Sequence, residues 1–504
     1  DYALASGQGA LASGLNSAAV GQAASASNSA TTAVGQLSLA SGISASALGQ
    51  GAQAAGDYAL ASGQGALASG LNSAAVGQAA SASNSATTAV GQLSLASGTS
   101  ASALGQGAQA TGDYALASGQ GALASGLQSS AVGQSSIASG DSATTLGQLA
   151  VASGYGAIAI GQGAQATGDN SIAIGTGSKT GGSGGTAFGN GAVASGKDAT
   201  AIGEVSLASG IDTTALGQGA LASGISAASF GQGASATGDY ALASGQSALA
   251  SGLNASAIGQ SSKASGISST SFGQSSTAAG DNALASGQGA IASGLNASAM
   301  GQSSVASGSN ATSLGQSASA SGVMVTAIGQ SANASGDYST AVGQGAASSG
   351  AGSTALGRSS RATGVNTLAL GNGSFASGAN SVALGAGSVA SRSNTVSVGS
   401  SSMQRTISGL APGIENTDAV NVGQLDDAAK ISNRGIAGVS AMAALPPIDD
   451  GKKFSVGLGV GYYENETAIA FGAQARVVDQ FNFKLSVATS KGDYVSSVGV
   501  GYSF

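Results

Sequence analysis

From Asp1 to Arg392 this chain restarts every fourteen residues, with a glycine at mid-repeat and no insertion or deletion across 28 consecutive units. Asp1–Gly14 reads DYALASGQGALASG, Ser29–Gly42 reads SATTAVGQLSLASG and Val365–Gly378 reads VNTLALGNGSFASG. A short period that never slips calls for one structural coil per repeat, stacked on near-identical neighbours. Such a body has no single globular core, so its length does not translate into a domain count. It is suited to reach and display rather than to catalysis.

The composition narrows the class. There are 86 Gly but only 3 Pro, and charged residues make up 7% of the chain. Gly does not recur every third residue, which excludes collagen, and the apolar residues recur in phase, which disorder does not need. Cys, His and Trp are absent. That removes disulfides, Cys–His or Ser–His pairs and the usual zinc and haem ligands, so no enzyme, metal or cofactor is expected. The net charge is −7, and Lys179, Lys197, Lys263, Arg358, Arg361 and Arg392 are the repeats' only basic residues. No basic stripe is available for phosphate neutralisation, so nucleic acid is not an expected partner. No signal peptide precedes Asp1, and the start in phase suggests a processed or truncated product. No stretch reads as a spanning helix.

Within the repeat, counted from Asp1, position 7 is always Gly and position 14 is Gly except at Asn28, Asn84 and Arg392. Position 12 is almost always Ala. Position 6 is usually large and apolar (Val20, Leu48, Ile174, Phe188); where it is Ser, as at Ser62, position 4 is Leu, as at Leu60. The exchange keeps one large side chain on one strand face. The expectation is two short strands per coil, with positions 4 and 6 inward from the first and 10 and 12 inward from the second. The glycines would mark corners that need φ > 0 or close backbone approach. With coils about 4.8 Å apart the array is a rod of roughly 130 Å. So thin a roll should be marginal alone, so chains should associate side by side. Residues 1–56 and 57–112 differ only at Ile43/Thr99 and Ala55/Thr111, so four-coil blocks have been copied.

Past residue 392 the period breaks. Thr417 to Leu425 reads TDAVNVGQL, with Asp418 as the candidate helix N-cap. Val422, Leu425, Ala429, Ser432, Ile436, Val439 and Ala443 then follow a 3–4 spacing, a heptad seam that Pro446-Pro447 stops. Residues 448–504 read as four alternating strands, with Phe454 to Tyr462, Ile469 to Val477, Phe481 to Val487 and Val498 to Phe504 on their apolar faces. Strands of about ten residues with an apolar face and aromatic ends fit a transmembrane β-barrel, but four strands cannot close one. The barrel must be shared, with eight strands from two chains or twelve from three. Gly457, Gly459, Gly461, Gly499 and Gly501 on the opposite face leave room for the upstream helix, and that volume favours three chains.

At this point the chain resembles the YadA-like trimeric autotransporter adhesins of Gram-negative outer membranes. Asn170-Ser171-Ile172-Ala173-Ile174-Gly175 and Asn380-Ser381-Val382-Ala383-Leu384-Gly385 look like the family's head repeat, Arg405–Leu425 like its neck, and residues 433–504 like its anchor. The resemblance implies an all-β-dominated chain. Residues 1–392 would be a left-handed parallel β-roll head, 393–425 a neck (Asp418, Ala419, Val420, Asn421, Val422, Gln424 and Leu425), 426–447 a short coiled coil and pore helix, and 448–504 one third of a twelve-stranded barrel. It further implies a homotrimer, outer-membrane lipid around the barrel, self-export of the head through it, and recognition of terminal Phe504 by the outer-membrane assembly machinery. The expected role is adhesion to a host matrix protein or cell receptor, with autoagglutination, from a head held close to the membrane by a very short stalk. A chain without Cys is free of cross-links that would block such a pore.

The remaining features divide between contact and scaffold. The position-7 and position-14 glycines read as turns, since no Lys-Ser/Thr follows in phosphate-loop spacing. The position-8 column Gln8, Gln22, Gln36, Gln50 reads as an amide ladder. Single aspartates such as Asp57 and Asp113, whole coils apart, read as turn residues rather than a hydrolase pair. Tyr2, Tyr58, Tyr114, Tyr240 and Tyr338, at position 2, with Asn170, Ser171, Asn380 and Ser381, form the candidate adhesive surface; packing between chains accounts for the tyrosines equally well. A protective coat without a receptor is the competing role. Ice binding ranks last, because Thr31, Thr32, Thr213 and Thr214 make no continuous Thr-x-Thr column.

Overall fold

The structure is a computed structural model that describes residues 2–504, in two compact units, Asp1–Gln404 and Arg405–Phe504. In the first unit each coil contributes a three-residue strand at positions 4–6 and a two-residue strand at 11–12, as in Leu60–Ser62 and Leu67–Ala68. Successive coils stack in parallel at a register of one repeat. Leu60, Ala61 and Ser62 pair with Ala74, Ala75 and Val76, and Leu67 and Ala68 with Ser81 and Ala82. The result is a two-sheet parallel roll. It runs past Arg392, since Val396–Ser397 still pairs with Val382–Leu384.

Positions 4 and 6 do not point inward. The interior is built from positions 3, 5, 10 and 12: Ala59, Ala61, Ala66 and Ala68 are 0–2% exposed, while Leu48 and Leu104 at position 6 are 37% and 39% exposed. A coil of fourteen residues closes so tightly that nothing larger than Thr or Val325 fits between its walls, and most inward groups are Ala and Ser, so the larger side chains go outside. Many buried hydroxyls are satisfied locally, while those of Ser129, Ser229, Ser269, Ser304, Ser313 and Ser353 have no partner among the described residues. Ser73 Oγ donates to the Gly70 carbonyl at 2.7 Å, Thr31 Oγ1 to the Asn28 carbonyl at 2.7 Å and Ser38 Oγ to the Gly35 carbonyl at 2.9 Å. Burying these bonded groups therefore leaves no lost hydrogen bond.

The corners combine two devices. Gly63, at position 7, has φ +138°. Gly70, at position 14, has no left-handed φ, but a Cβ there would strike the Asn84 carbonyl of the next coil. Positions 2 and 9 are also left-handed, as at Tyr58 (φ 58°) and Leu93 (φ 59°), which the glycine pattern alone did not reveal. At position 1, Asp57 Oδ1 accepts from the Ile43 N–H at 2.7 Å, and Asp113 does the same for Thr99, so these carboxylates tie each coil to the one before.

In the second unit, helix α1 spans Val422–Ala443, and strands β1 (Phe454–Tyr463), β2 (Glu466–Val478), β3 (Phe481–Ser490) and β4 (Asp493–Tyr502) form an antiparallel meander in chain order. A bulge between Arg476 and Val478 ends the regular alternation of β2. Among the described residues the outer edges of β1 and β4 have no strand partner. The N-cap of α1 is Asn421, not Asp418: its side chain accepts from the Gln424 N–H at 3.0 Å, while the Asn421 N–H donates to Gln424 Oε1. That reciprocal pair is a capping box, and it outcompetes a carboxylate one turn upstream. Asp418 holds the preceding turn instead, accepting the Ile414 and Glu415 N–H groups at 2.9 Å each.

Candidate functional site

Three apolar surfaces are left uncovered, and each follows from how its element folds. On the roll, the outward row of position 6, with position 4 where position 6 is Ser, runs along the three-residue-strand sheet. Phe188, Phe272, Leu216 and Leu314 are exposed on it, in register with their neighbours. One side chain per coil repeated along the stack is far more continuous apolar surface than a solitary soluble chain leaves open.

The second surface is on α1. Its buried residues are Ala437, Gly438, Ala441 and Met442, which lie against the strands. The heptad residues Val422, Leu425, Ile436 and Val439 point elsewhere and are 45–72% exposed. The helix thus has two apolar faces, one used by its own sheet and one free. The inner-face glycines make the first contact possible. A Cβ at Gly459 would strike the Ala441 carbonyl oxygen, one at Gly461 the Ala437 carbonyl, and one at Gly457 the Pro446 ring. Gly499 and Gly501 are different: on β4 the nearest atom to such a Cβ is Lys484 Cβ at 4.0 Å for Gly499, and nothing lies within 4 Å for Gly501.

Polar contacts fix the helix at its C-terminal end and at its middle. Lys484 Nζ donates to the Met442 carbonyl at 3.1 Å, placing a cation at the negative end of the helix dipole. At mid-helix Arg434 faces Glu466 at 3.6 Å and Asp493 at 3.1 Å, and Lys491 Nζ reaches Glu466 at 3.1 Å. These partners sit at the β1–β2 and β3–β4 turns, so one arginine ties the helix to both hairpins.

The third surface is the far side of the sheet. Phe454, Leu458, Phe471, Leu485 and Val498 are all more than half exposed. Aromatic residues gather at both strand ends. Phe481 meets the Tyr502 ring edge-on at 5.5 Å at one end, while Tyr462, whose hydroxyl donates to Asn465 at 2.7 Å, and Tyr494 lie at the other. An apolar band between aromatic girdles on ten-residue strands is the pattern of a lipid-facing barrel wall.

The sequence-derived site residues separate on this frame. Tyr2, Tyr58, Tyr114, Tyr240 and Tyr338 stand on the corner at position 2, each at least 59% exposed. Asn170 and Asn380 share that corner and are exposed. Ser171 and Ser381 are fully buried; Ser171 Oγ donates to the Gly168 carbonyl, and neither serine is available to a partner. In the neck, Asn421 and Gln424 come together with the loop before them. Asn421 Nδ2 donates to the Leu410 carbonyl, and the Gln424 amide exchanges two 2.9 Å bonds with the Gly413 backbone. Val420, Val422 and Leu425 are exposed beside them, as is Ala419, and Phe504 is exposed beyond β4. The column of Gln side chains forms the expected ladder, unbroken from Gln22 to Gln162, as in Gln36 Nε2 to Gln22 Oε1 at 3.0 Å.

The sequence did not disclose that Arg434, Glu466, Lys491 and Asp493 meet. Their spacing carries no signal; only the two hairpin turns and the helix pitch gather them.

A long roll with an exposed apolar row, followed by a two-faced helix on a sheet with open edges, defines a membrane-anchored protein that works as an oligomer. The family models agree. The YadA head domain repeat matches in successive stretches between residues 1 and 402, the coiled stalk of trimeric autotransporter adhesins matches 406–441, and the YadA-like membrane anchor domain matches 446–504. Among solved structures, the collagen-binding domain of the Yersinia adhesin YadA is 32% identical over 33% of this chain and 84% of that one, with a TM-score of 0.27. The chain belongs to the YadA-like trimeric autotransporter adhesins.

Proposed function

We propose that this chain is an adhesin of the Gram-negative outer membrane: three copies share one twelve-stranded barrel and hold three rolls outside the cell. The observation that carries this is the second face of α1. With Ala437 and Ala441 packed on its own sheet, Ile436 and Val439 remain for sister helices. Unpaired edges on β1 and β4 cannot persist in lipid, and pairing β4 of one copy with β1 of the next removes them. The exposed row of position 6 gives the rolls a surface on which to meet, and its burial adds to the trimer at about 25 cal/mol per Å².

On this reading the head comprises the coils, residues 405–421 gather three heads onto three helices, and the anchor exports the head through its pore before α1 fills it. Phe504 is then the residue offered to the outer-membrane assembly machinery. Binding to host matrix or cells rests on many weak contacts repeated along the roll, hence on avidity. Tyr58, Tyr114 and Tyr240 on one corner are suited to it. The domain named for collagen binding in YadA makes collagen the first ligand to try.

The test is a solid-phase array of matrix proteins, collagens included, probed with cells displaying the full chain and with cells lacking it. Saturable binding that falls when Tyr58, Tyr114 and Tyr240 become Ser supports the adhesin. Display without saturable binding to any matrix protein or cell favours a coat. For export, a disulfide engineered across two head coils should stall display unless reductant is present.

A further inference from the structure

The charges of the head are segregated along its length. Residues 1–337 hold eleven acidic and three basic residues. Between Asp337 and Glu415 there is no Asp or Glu at all, and the four basic residues there, Arg358, Arg361, Arg392 and Arg405, are all arginine. The first three lie on the last three full coils of the roll, are exposed, and form no ion pair among the described residues.

The repeat itself does not need them. Arg358 takes position 8, where the second run of the ladder, from Glu204 through Gln218 to Gln344, stops. An arginine has no acceptor to continue it. Arg392 takes position 14, where 25 coils have Gly. Arg361 starts the strand Arg361–Ala362 on the outward face of the two-residue-strand sheet, directly beside Phe375 in register. Phe375 is the only aromatic residue in position 11 of the array. Thr363 and Ser377, at position 13, point out from the same face. An aromatic ring flanked by outward hydroxyls, with an arginine at its side and one at each edge of the face, suits a saccharide that carries phosphates. The ring stacks on sugar, the hydroxyls bond to it, and each guanidinium forks onto a phosphate.

We infer that this face of the last coils binds the phosphorylated saccharide of the outer-leaflet glycolipid of the cell's own membrane, seating the base of the head on the surface that anchors it. The inference rests on the outer-membrane reading above. Its chain position selects this source over a host sulfated glycan: these coils are the last before the anchor, with only residues 405–421 between head and helix. A host ligand would gain more from the distal coils, where arginine is absent.

The test uses the full-length trimer in detergent and three soluble probes: deacylated, diphosphorylated lipid A–core oligosaccharide, the same oligosaccharide after phosphatase, and heparin. The variant carries Arg358→Gln, Arg361→Gln and Arg392→Asn, each a residue the repeat already uses at that position, so the fold is kept. Wild type should bind the phosphorylated oligosaccharide, more weakly as salt rises, and the variant and the dephosphorylated probe should each lose at least about tenfold. Lys179→Gln with Lys263→Gln should change nothing. Equal affinity of variant and wild type, or preference for heparin over the phosphorylated oligosaccharide, overturns the inference. Membrane fractionation and surface proteolysis of the same variants test the outer-membrane reading separately. A surface-displayed trimer with unchanged arginine-variant binding refutes the glycolipid site alone.

Discussion

Gly461→Ala adds one methyl at the tightest seam of the second unit. The new carbon would press on the Ala437 carbonyl and the Ala441 nitrogen, both backbone atoms that no rotamer change can move aside. Helix α1 must recede by about 1 Å, a gap that forfeits a quarter to a half of each dispersion contact it opens. The residues losing contacts are Ala437, Gly438, Ala441 and Met442, all the buried residues of the helix. Overpacking of this kind costs about 1–3 kcal/mol per chain. Three chains assemble together, so the oligomer loses roughly 3–9 kcal/mol. The assay is the temperature at which the detergent-extracted oligomer dissociates on a gel, with outward-facing Ser496→Ala as the silent comparator. Gly461→Ala should lower it by roughly 5–10 °C. An oligomer as heat-resistant as wild type would mean that α1 does not rest on β1, and the argument from the glycines would fail with it.

Replacing Phe188, Ile202, Leu216 and Phe230 together by Ser should leave the coils intact but weaken association of the heads by about 1–2 kcal/mol per side chain, read as partial splaying by electron microscopy or small-angle scattering. Ala61→Leu has the opposite address: it forces three extra carbons into a methyl-sized interior, costs at least about 3 kcal/mol, and should open a protease site near that coil. Asp418 is held below the usual carboxylate range by its bonds from the Glu415 and Ile414 N–H groups. Its contribution is therefore present above the unfolded carboxyl pKa of about 4 and disappears as pH falls through the lower folded value. Amide exchange at Ile414 and Glu415, corrected for intrinsic rate, should stay protected at pH 5 and lose protection toward pH 2, and Asp418→Asn should weaken it at pH 7.

The coil, its two strands and its corner glycines were legible in the sequence because the period runs through 28 coils in phase, with Gly at position 7 in all of them and at position 14 in 25. Which face turns inward was not. Val20 at position 6 and Leu60 at position 4 alternate with Ala equally well in either phase, and the larger side chain reads as core by habit. The interior volume decides it, and volume is a property of the closed coil rather than of the pattern. Ser171 and Ser381 were misplaced for the same reason: a serine looks like surface until its hydroxyl is found bonded to a buried carbonyl. The four anchor strands were readable from alternation alone, and Gly457, Gly459 and Gly461 correctly announced a helix against them. A Cβ at Gly501 would meet nothing within 4 Å and one at Gly499 only Lys484 Cβ at 4.0 Å, so these two glycines do not make room for the chain's own helix. Asp418 lost the cap to Asn421 because a capping box needs Gln three residues on, and Gln424 stands at that distance only from Asn421.

An interior lined by nothing larger than threonine and valine has an evolutionary corollary. Because every coil presents its neighbours with the same small-walled template, recombination between residues 1–56 and 57–112 would remove or add four whole turns in frame, with no misfit at the junction. The reach of the head is thus an inheritable quantity that can change in steps of about 19 Å while the membrane-embedded part stays untouched.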